Sequence, residues 1–144
     1  MESPYFQTLK MGIDLVPLEI LFRIKEKILK CFRNQGVIYF FGNGGSGATA
    51  SHIAGDLSKF IKCRQKGGLR VVCLNDNTTQ LTAIANDHCF SDVFKYAFEG
   101  ILQPEDLVIG ISGSGNSENV IRAINYANEI TGTSIGLCGY DGGL

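Results

Sequence analysis

Long apolar runs, clustered basic residues and paired cysteine motifs are all missing from this 144-residue chain, and each absence removes a class of protein. No apolar stretch approaches the roughly 20 residues that span a bilayer. The N-terminus has no basic segment followed by an uninterrupted apolar core, so no secretory signal is expected. A formal net charge of −1, with no Lys/Arg cluster, gives no support for a nucleic-acid or membrane-surface partner. The five cysteines (Cys31, Cys63, Cys73, Cys89, Cys138) are odd in number, scattered and without CxxC spacing. They are expected to be reduced structural thiols in a cytoplasmic protein. Only three prolines stand against 18 glycines, and the glycines gather at the ends of apolar runs rather than in a linker.

What is present most clearly is a pair of glycine-serine loops. Gly42-Asn43-Gly44-Gly45-Ser46-Gly47 follows the apolar run Val37-Ile38-Tyr39-Phe40-Phe41, and Ser112-Gly113-Ser114-Gly115-Asn116-Ser117 follows Leu107-Val108-Ile109-Gly110-Ile111. Each opens a helix-like stretch. A helix N-terminus offers unpaired backbone N–H groups and the positive end of the helix dipole, so it attracts anions. Glycine permits close backbone approach and serine hydroxyls add donors. Two such loops in one domain point to a phosphorylated ligand.

The first 16 residues carry no clear period. Over 17–35, Leu18, Leu21, Ile24, Ile28 and Phe32 recur at three- and four-residue steps, which predicts an amphipathic helix ended by Gly36. Short β-branched runs predict strands at about 37–41, 69–74, 107–111 and 133–138, with helices at about 46–61, 78–86, 91–101 and 117–130. Nearly all-apolar strands separated by helices imply a parallel sheet covered on both faces, with every strand's C-terminal end along one edge. The chain closes on a further strand-to-helix turn, Gly139-Tyr140-Asp141-Gly142-Gly143-Leu144, so it is expected to lack the C-terminal part of its domain.

Alternative readings bear on the same residues. Gly42, Gly44 and Gly47 match the dinucleotide fingerprint GxGxxG, but the nearest ribose-binding acid, Asp76, lies 29 residues past Gly47 instead of the ~20 expected. A P-loop is excluded because no lysine follows either glycine cluster as GxxxxGK[ST] requires. His52 and Asp56 share one helix face, as an acid-base pair, half of a metal site, or a solvated i,i+4 pair. His88 reads as a polar loop residue. Lys59, Lys62 and Arg64 read as a solvated helix end.

The two loops, with Ala50-Ser51-His52, Asn86-Asp87 and Asp141-Gly142-Gly143, resemble the sugar isomerase (SIS) domain family in its phosphoheptose isomerase group, in order over about 37–143. The resemblance implies a three-layer αβα sandwich with a flavodoxin-like parallel sheet. It divides the chain into an N-terminal helical segment, 1–36, and an α/β core, 37–144. It also implies aldose–ketose isomerisation of sedoheptulose 7-phosphate to D-glycero-D-manno-heptose 7-phosphate, for bacterial heptose, lipopolysaccharide or capsule precursors. The family's phosphate contacts fall on Ser112, Ser114 and Ser117, with Asn116 shaping the loop. Its sugar contacts fall on Asn43, Gly44, Ser46, Asp76 and Asn86. Its acid-base glutamate aligns with Asp56, one methylene shorter. Some members bind zinc through the matching pair, here His52 and Asp56, and none of this calls for a nucleotide cofactor. The family's second acid-base residue, a histidine, falls beyond Leu144. The group forms homotetramers through its N-terminal helix. A non-catalytic SIS module, sensing a sugar phosphate or acting as an interaction scaffold, would need the same phosphate loops.

Overall fold

The computed structural model describes residues 3–62 and 69–143, without the side chains of residues 60–62. Helices α1 (Pro4–Asp14) and α2 (Leu18–Arg33) lead into strand β1 (Val37–Gly42) and helix α3 (Gly44–Lys62). Strand β2 (Arg70–Cys73), α4 (Thr78–Asp87), α5 (Val93–Phe98), β3 (Leu107–Ser112), α6 (Glu118–Thr131) and β4 (Ser134–Cys138) follow. The strands form one parallel sheet in the order β2-β1-β3-β4.

Strand β1 is central because it is apolar on both faces. Tyr39 aligns with Val72 on one neighbour and Val108 on the other, which sets the register of three strands. Tyr39 and Phe41 point into a core shared with Val93, Phe94 and Phe98 of α5 and with Val120, Ala123 and Ala127 of α6. The Phe41 ring lies 4.9 Å from Phe94 and 5.6 Å from Phe98, in tilted and edge-on geometries that aromatic rings favour. Ile38 and Phe40 point the other way, onto Cys31 of α2 and Ala50 and Ala54 of α3. Fully burying each such side chain contributes about 1.5–3 kcal/mol. Gly110 in β3 lets α6 come close: a Cβ there would stand 3.1 Å from Val120 and 3.2 Å from the Phe41 ring.

The N-terminal region departs from the sequence expectation. Residues 4–14 are helical: Tyr5, Leu9 and Ile13 recur at four-residue steps, a short repeat that the expectation missed, although α1 buries no residue. Helix α2 ends at Arg33, earlier than expected, since Gln35 takes a left-handed φ of 59°. Gly36 serves a different purpose: its Cβ would fall 2.1 Å from the Glu105 carbonyl, so only glycine lets these segments touch. The helix expected at 91–101 is α5, preceded by a 3₁₀ turn at Phe90–Asp92 and closed before Gly100, whose φ is +77°.

Cys31, Cys73, Cys89 and Cys138 are free thiols, and Cys63 lies outside the described residues. Burial pushes the Cys31 thiol up to about 11 and raises Cys73, so both stay protonated at neutral pH. Among the described residues, no helix is long and apolar enough to cross a membrane.

Candidate functional site

The sheet order decides where a ligand can sit. The chain leaves β1 toward β2 on one side, then crosses to β3 on the other, so the loops after β1 and β3 diverge at the carboxyl edge. That is the switch point where open α/β sheets bind ligands. The two glycine-serine loops flank it, linked by the Asn43–Asn119 side-chain pair.

The loop after β1 is anchored by an asparagine in the 3₁₀ turn after β2. The Gly42 N–H donates to Asn75 Oδ1 at 3.2 Å, and Asn75 Nδ2 donates to the Gly42 carbonyl at 2.8 Å. Gly47 must lack a side chain, because its Cβ would lie 2.8 Å from Asn75 Nδ2. The Asn43 carbonyl accepts the first bonds of α3, from the N–H groups of Ser46 (2.9 Å) and Gly47 (3.2 Å). Gly44 is exposed and Ser46 half-buried beside it.

The loop after β3 is tighter. Ser112 is buried, and its hydroxyl donates to Ser117 Oγ at 3.2 Å. The Asn116 N–H donates to Ser114 Oγ at 3.1 Å, and the Gly115 N–H to the Ser112 carbonyl at 3.1 Å. Ser117 occupies the N-cap of α6 but makes no side-chain cap hydrogen bond. The helix start is therefore not closed off by its own cap, as an anion site requires. The loop after β4 braces this turn through the Gly139 N–H, which donates to the Gly113 carbonyl at 2.9 Å. Gly115, at φ +70°, would bring a Cβ within 2.2 Å of the Gly142 carbonyl. Gly115→Ala is expected to distort the loop and weaken phosphate-ester binding about tenfold, at roughly 1–3 kcal/mol of strain. Calorimetric titration beside a urea melt checks both effects.

The remaining candidates divide. Asp76, in the 3₁₀ turn after β2, accepts from Ser51 Oγ at 2.7 Å, tying that turn to α3. Asn43 pairs with Asn119 of α6, whose side-chain amide is buried. Asn86 is exposed near the end of α4, and its amide donates to Asp87 at 2.9 Å with no bond to either loop. His88 stacks on Tyr96 with ring centroids 4.3 Å apart. Lys59 is exposed, while Arg64 and the Lys62 side chain lie outside the described residues.

His52 Nε2 and Asp56 Oδ2 stand 3.3 Å apart on α3, with side chains 81% and 72% exposed. They give two donors where a tetrahedral zinc takes four. Among the described residues, no group of three or more His, Cys, Asp or Glu is arranged to hold a metal. The described donor set is thus too small for zinc.

Beside the serine loop, Arg122 bridges Glu118 at 2.5 Å and Asp92 at 3.0 Å. The hydrogen bond from the Cys89 thiol, then that from Arg122, holds the Asp92 carboxyl below its ordinary range. The sequence puts Asn75 with Asp76 at the ligand edge after the second strand without revealing its bonds to Gly42, and it does not single out Asn119. A polar residue in a first helical turn or after a strand reads as solvated, and nothing local marks a partner 33 or 76 residues away.

These loops on this sheet define an α/β domain of the SIS type. The SIS domain family model matches residues 19–139, and the chain belongs to that family. Its relatives are specific. The phosphoheptose isomerase of Syntrophotalea carbinolica is 38% identical over 143 residues, covering 96% of this chain and 72% of that protein. That of Helicobacter pylori is 40% identical, covering 95% and 70%. Among solved structures, the Neisseria gonorrhoeae phosphoheptose isomerase superposes with a TM-score of 0.84 at 37% identity, covering 93% of this chain and 69% of that one. The Francisella tularensis enzyme gives 0.88 at 25% identity, covering 96% and 74%.

Proposed function

We propose that this chain is a phosphoheptose isomerase: it binds sedoheptulose 7-phosphate and moves a proton between C1 and C2 through an enediolate. The observation that carries the reading is the serine loop between β3 and α6, set beside the Asn43 loop at the switch point. Ser112, Ser114 and Ser117 would hold the phosphate, with Asn116 shaping the turn. Asn43, Gly44, Ser46 and Asp76 would face the carbon chain, and Asn86 would join them from α4. Fixing the phosphate sets the register of the chain and supplies proximity. Asp56 would take the proton α to the carbonyl. His52 and Asp56 would supply two zinc donors where others complete the set, and no step here depends on that metal. The product would feed heptose precursors of a bacterial surface polysaccharide, made in the cytoplasm.

The test is direct. Sedoheptulose 7-phosphate should bind in a calorimetric titration, and its α-proton should exchange with deuterated water. No binding would overturn the proposal. Binding without exchange would favour a sugar-phosphate sensor.

We also read 1–36 as the assembly arm of a single domain whose α/β core is 37–144, working as a homotetramer. Tyr5, Phe6, Leu9 and Met11 of α1 and Leu18, Leu21 and Phe22 of α2 are all exposed, an apolar surface uncommon on a monomer. Light scattering at tens of micromolar should give a mass above one chain, and Leu21→Glu with Phe22→Glu should lower it. A wild-type monomer would refute the arm's role.

A further inference from the structure

We propose that Asn119 is a positioning residue for the sugar, holding the Asn43 carboxamide in the orientation that meets the carbon chain. The inference rests on the sugar-phosphate reading above. Asn43 Nδ2 donates to Asn119 Oδ1 at 2.8 Å, and Asn119 Nδ2 donates back to Asn43 Oδ1 at 2.9 Å. The pair joins residues 76 apart in sequence, across the gap between the β1 and β3 loops. A carboxamide carries two N–H donors and two acceptor lone pairs, so one of each on Asn43 remains for a ligand. Asn119 itself is only 3% exposed. It is therefore placed to act through Asn43 rather than by touching the sugar.

Two physical arguments give the pair its purpose. An asparagine preceding a helix ordinarily turns its side-chain oxygen back onto its own helix's first N–H groups. Here Asn119 holds that oxygen toward α6 instead, which fixes both the rotamer and the amide's orientation. A buried amide without partners is costly, so Asn119 enforces the pairing. Asn119 also lies in the first turn of α6, directly after the serine loop. The helix that would receive the phosphate thus also orients the group that meets the sugar.

The experiment is a double-mutant cycle read in ligand affinity. Asn119→Ala is expected to weaken sedoheptulose 7-phosphate binding about tenfold, the scale of a lost hydrogen bond, while inorganic phosphate, used as competitor, stays within about twofold. Asn43→Ala should lose about as much, and the double variant no more than either single one. Additive losses, or phosphate affinity falling in step with sugar-phosphate affinity, would overturn the proposal. Should Asn119→Ala fail to fold, the wild type still decides. Its Asn43 side-chain amide should carry a proton protected from solvent exchange, and exchange at the rate of a free amide would refute the pairing. Wild-type protein that does not bind sedoheptulose 7-phosphate would sink the underlying reading, whereas binding with additive variants would sink this inference alone.

Discussion

Asp56→Asn is expected to abolish exchange of the substrate's α-proton while leaving sugar-phosphate affinity nearly unchanged. Asparagine matches aspartate in shape but cannot accept the proton, and loss of a positioned general base costs about 10²–10⁴ in rate. The side chain is 72% exposed on α3, so its replacement disturbs no packing. The phosphate would rest on the serine loop, which Asp56 does not touch. Proton exchange followed by NMR sees the enediolate even when product release is slow. A variant that exchanges normally would mean that the base lies elsewhere. Asp56→Glu is the informative companion. An aspartate reaches one methylene less far than the family's glutamate, and a misplacement near 1 Å costs about 10²-fold, so the longer side chain should raise the exchange rate.

Removing the serine hydroxyls should have an effect of similar size on binding. Ser112→Ala combined with Ser117→Ala is expected to weaken sedoheptulose 7-phosphate binding at least tenfold, since each hydrogen bond to a charged group contributes about 1.5–3 kcal/mol. The fold should survive. The two hydroxyls bond one another at 3.2 Å, so taking both away strands neither. Unchanged affinity in a titration of this variant would remove the loop from the site.

The sheet and both loops were legible because their signals are local. Val37–Phe41 and Leu107–Ile111 are continuous apolar runs, each leading directly into a glycine-serine loop, and burial on both faces demands that composition. The apolar pattern predicts a helix over 91–101 because Ile101 continues it past Gly100, whose positive φ cannot continue a helix. Leu102 is buried from the loop and not from the helix. Helix α1 is harder to read because its apolar repeat, Tyr5, Leu9 and Ile13, is only three residues long and is interleaved with Phe6 and Met11. Within the site, the His52–Asp56 spacing places both on one helix face, as the structure does, but spacing says nothing of further metal donors. The asparagine contacts were hidden for a different reason. Asn75 and Asn119 act on partners that only the crossover connections bring near, and no periodicity encodes such pairings.

The central place of β1 carries a consequence for how the chain is made. Val37-Ile38-Tyr39-Phe40-Phe41 has no charge and no proline, the composition of a segment that readily pairs with another copy of itself. Its neighbour β3 begins at Leu107, 66 residues after Phe41. At ribosomal speeds of roughly 5–20 residues per second, the strand waits about 3–13 seconds for that neighbour. During the interval α2, α3 and β2, and then α4 and α5 as they emerge, can shield it, but β3 and α6 cannot. The edge that presents the two ligand loops therefore comes into being only after the strand that supports it has spent several seconds without its neighbour β3, open on that side to a chaperone or a neighbouring nascent chain.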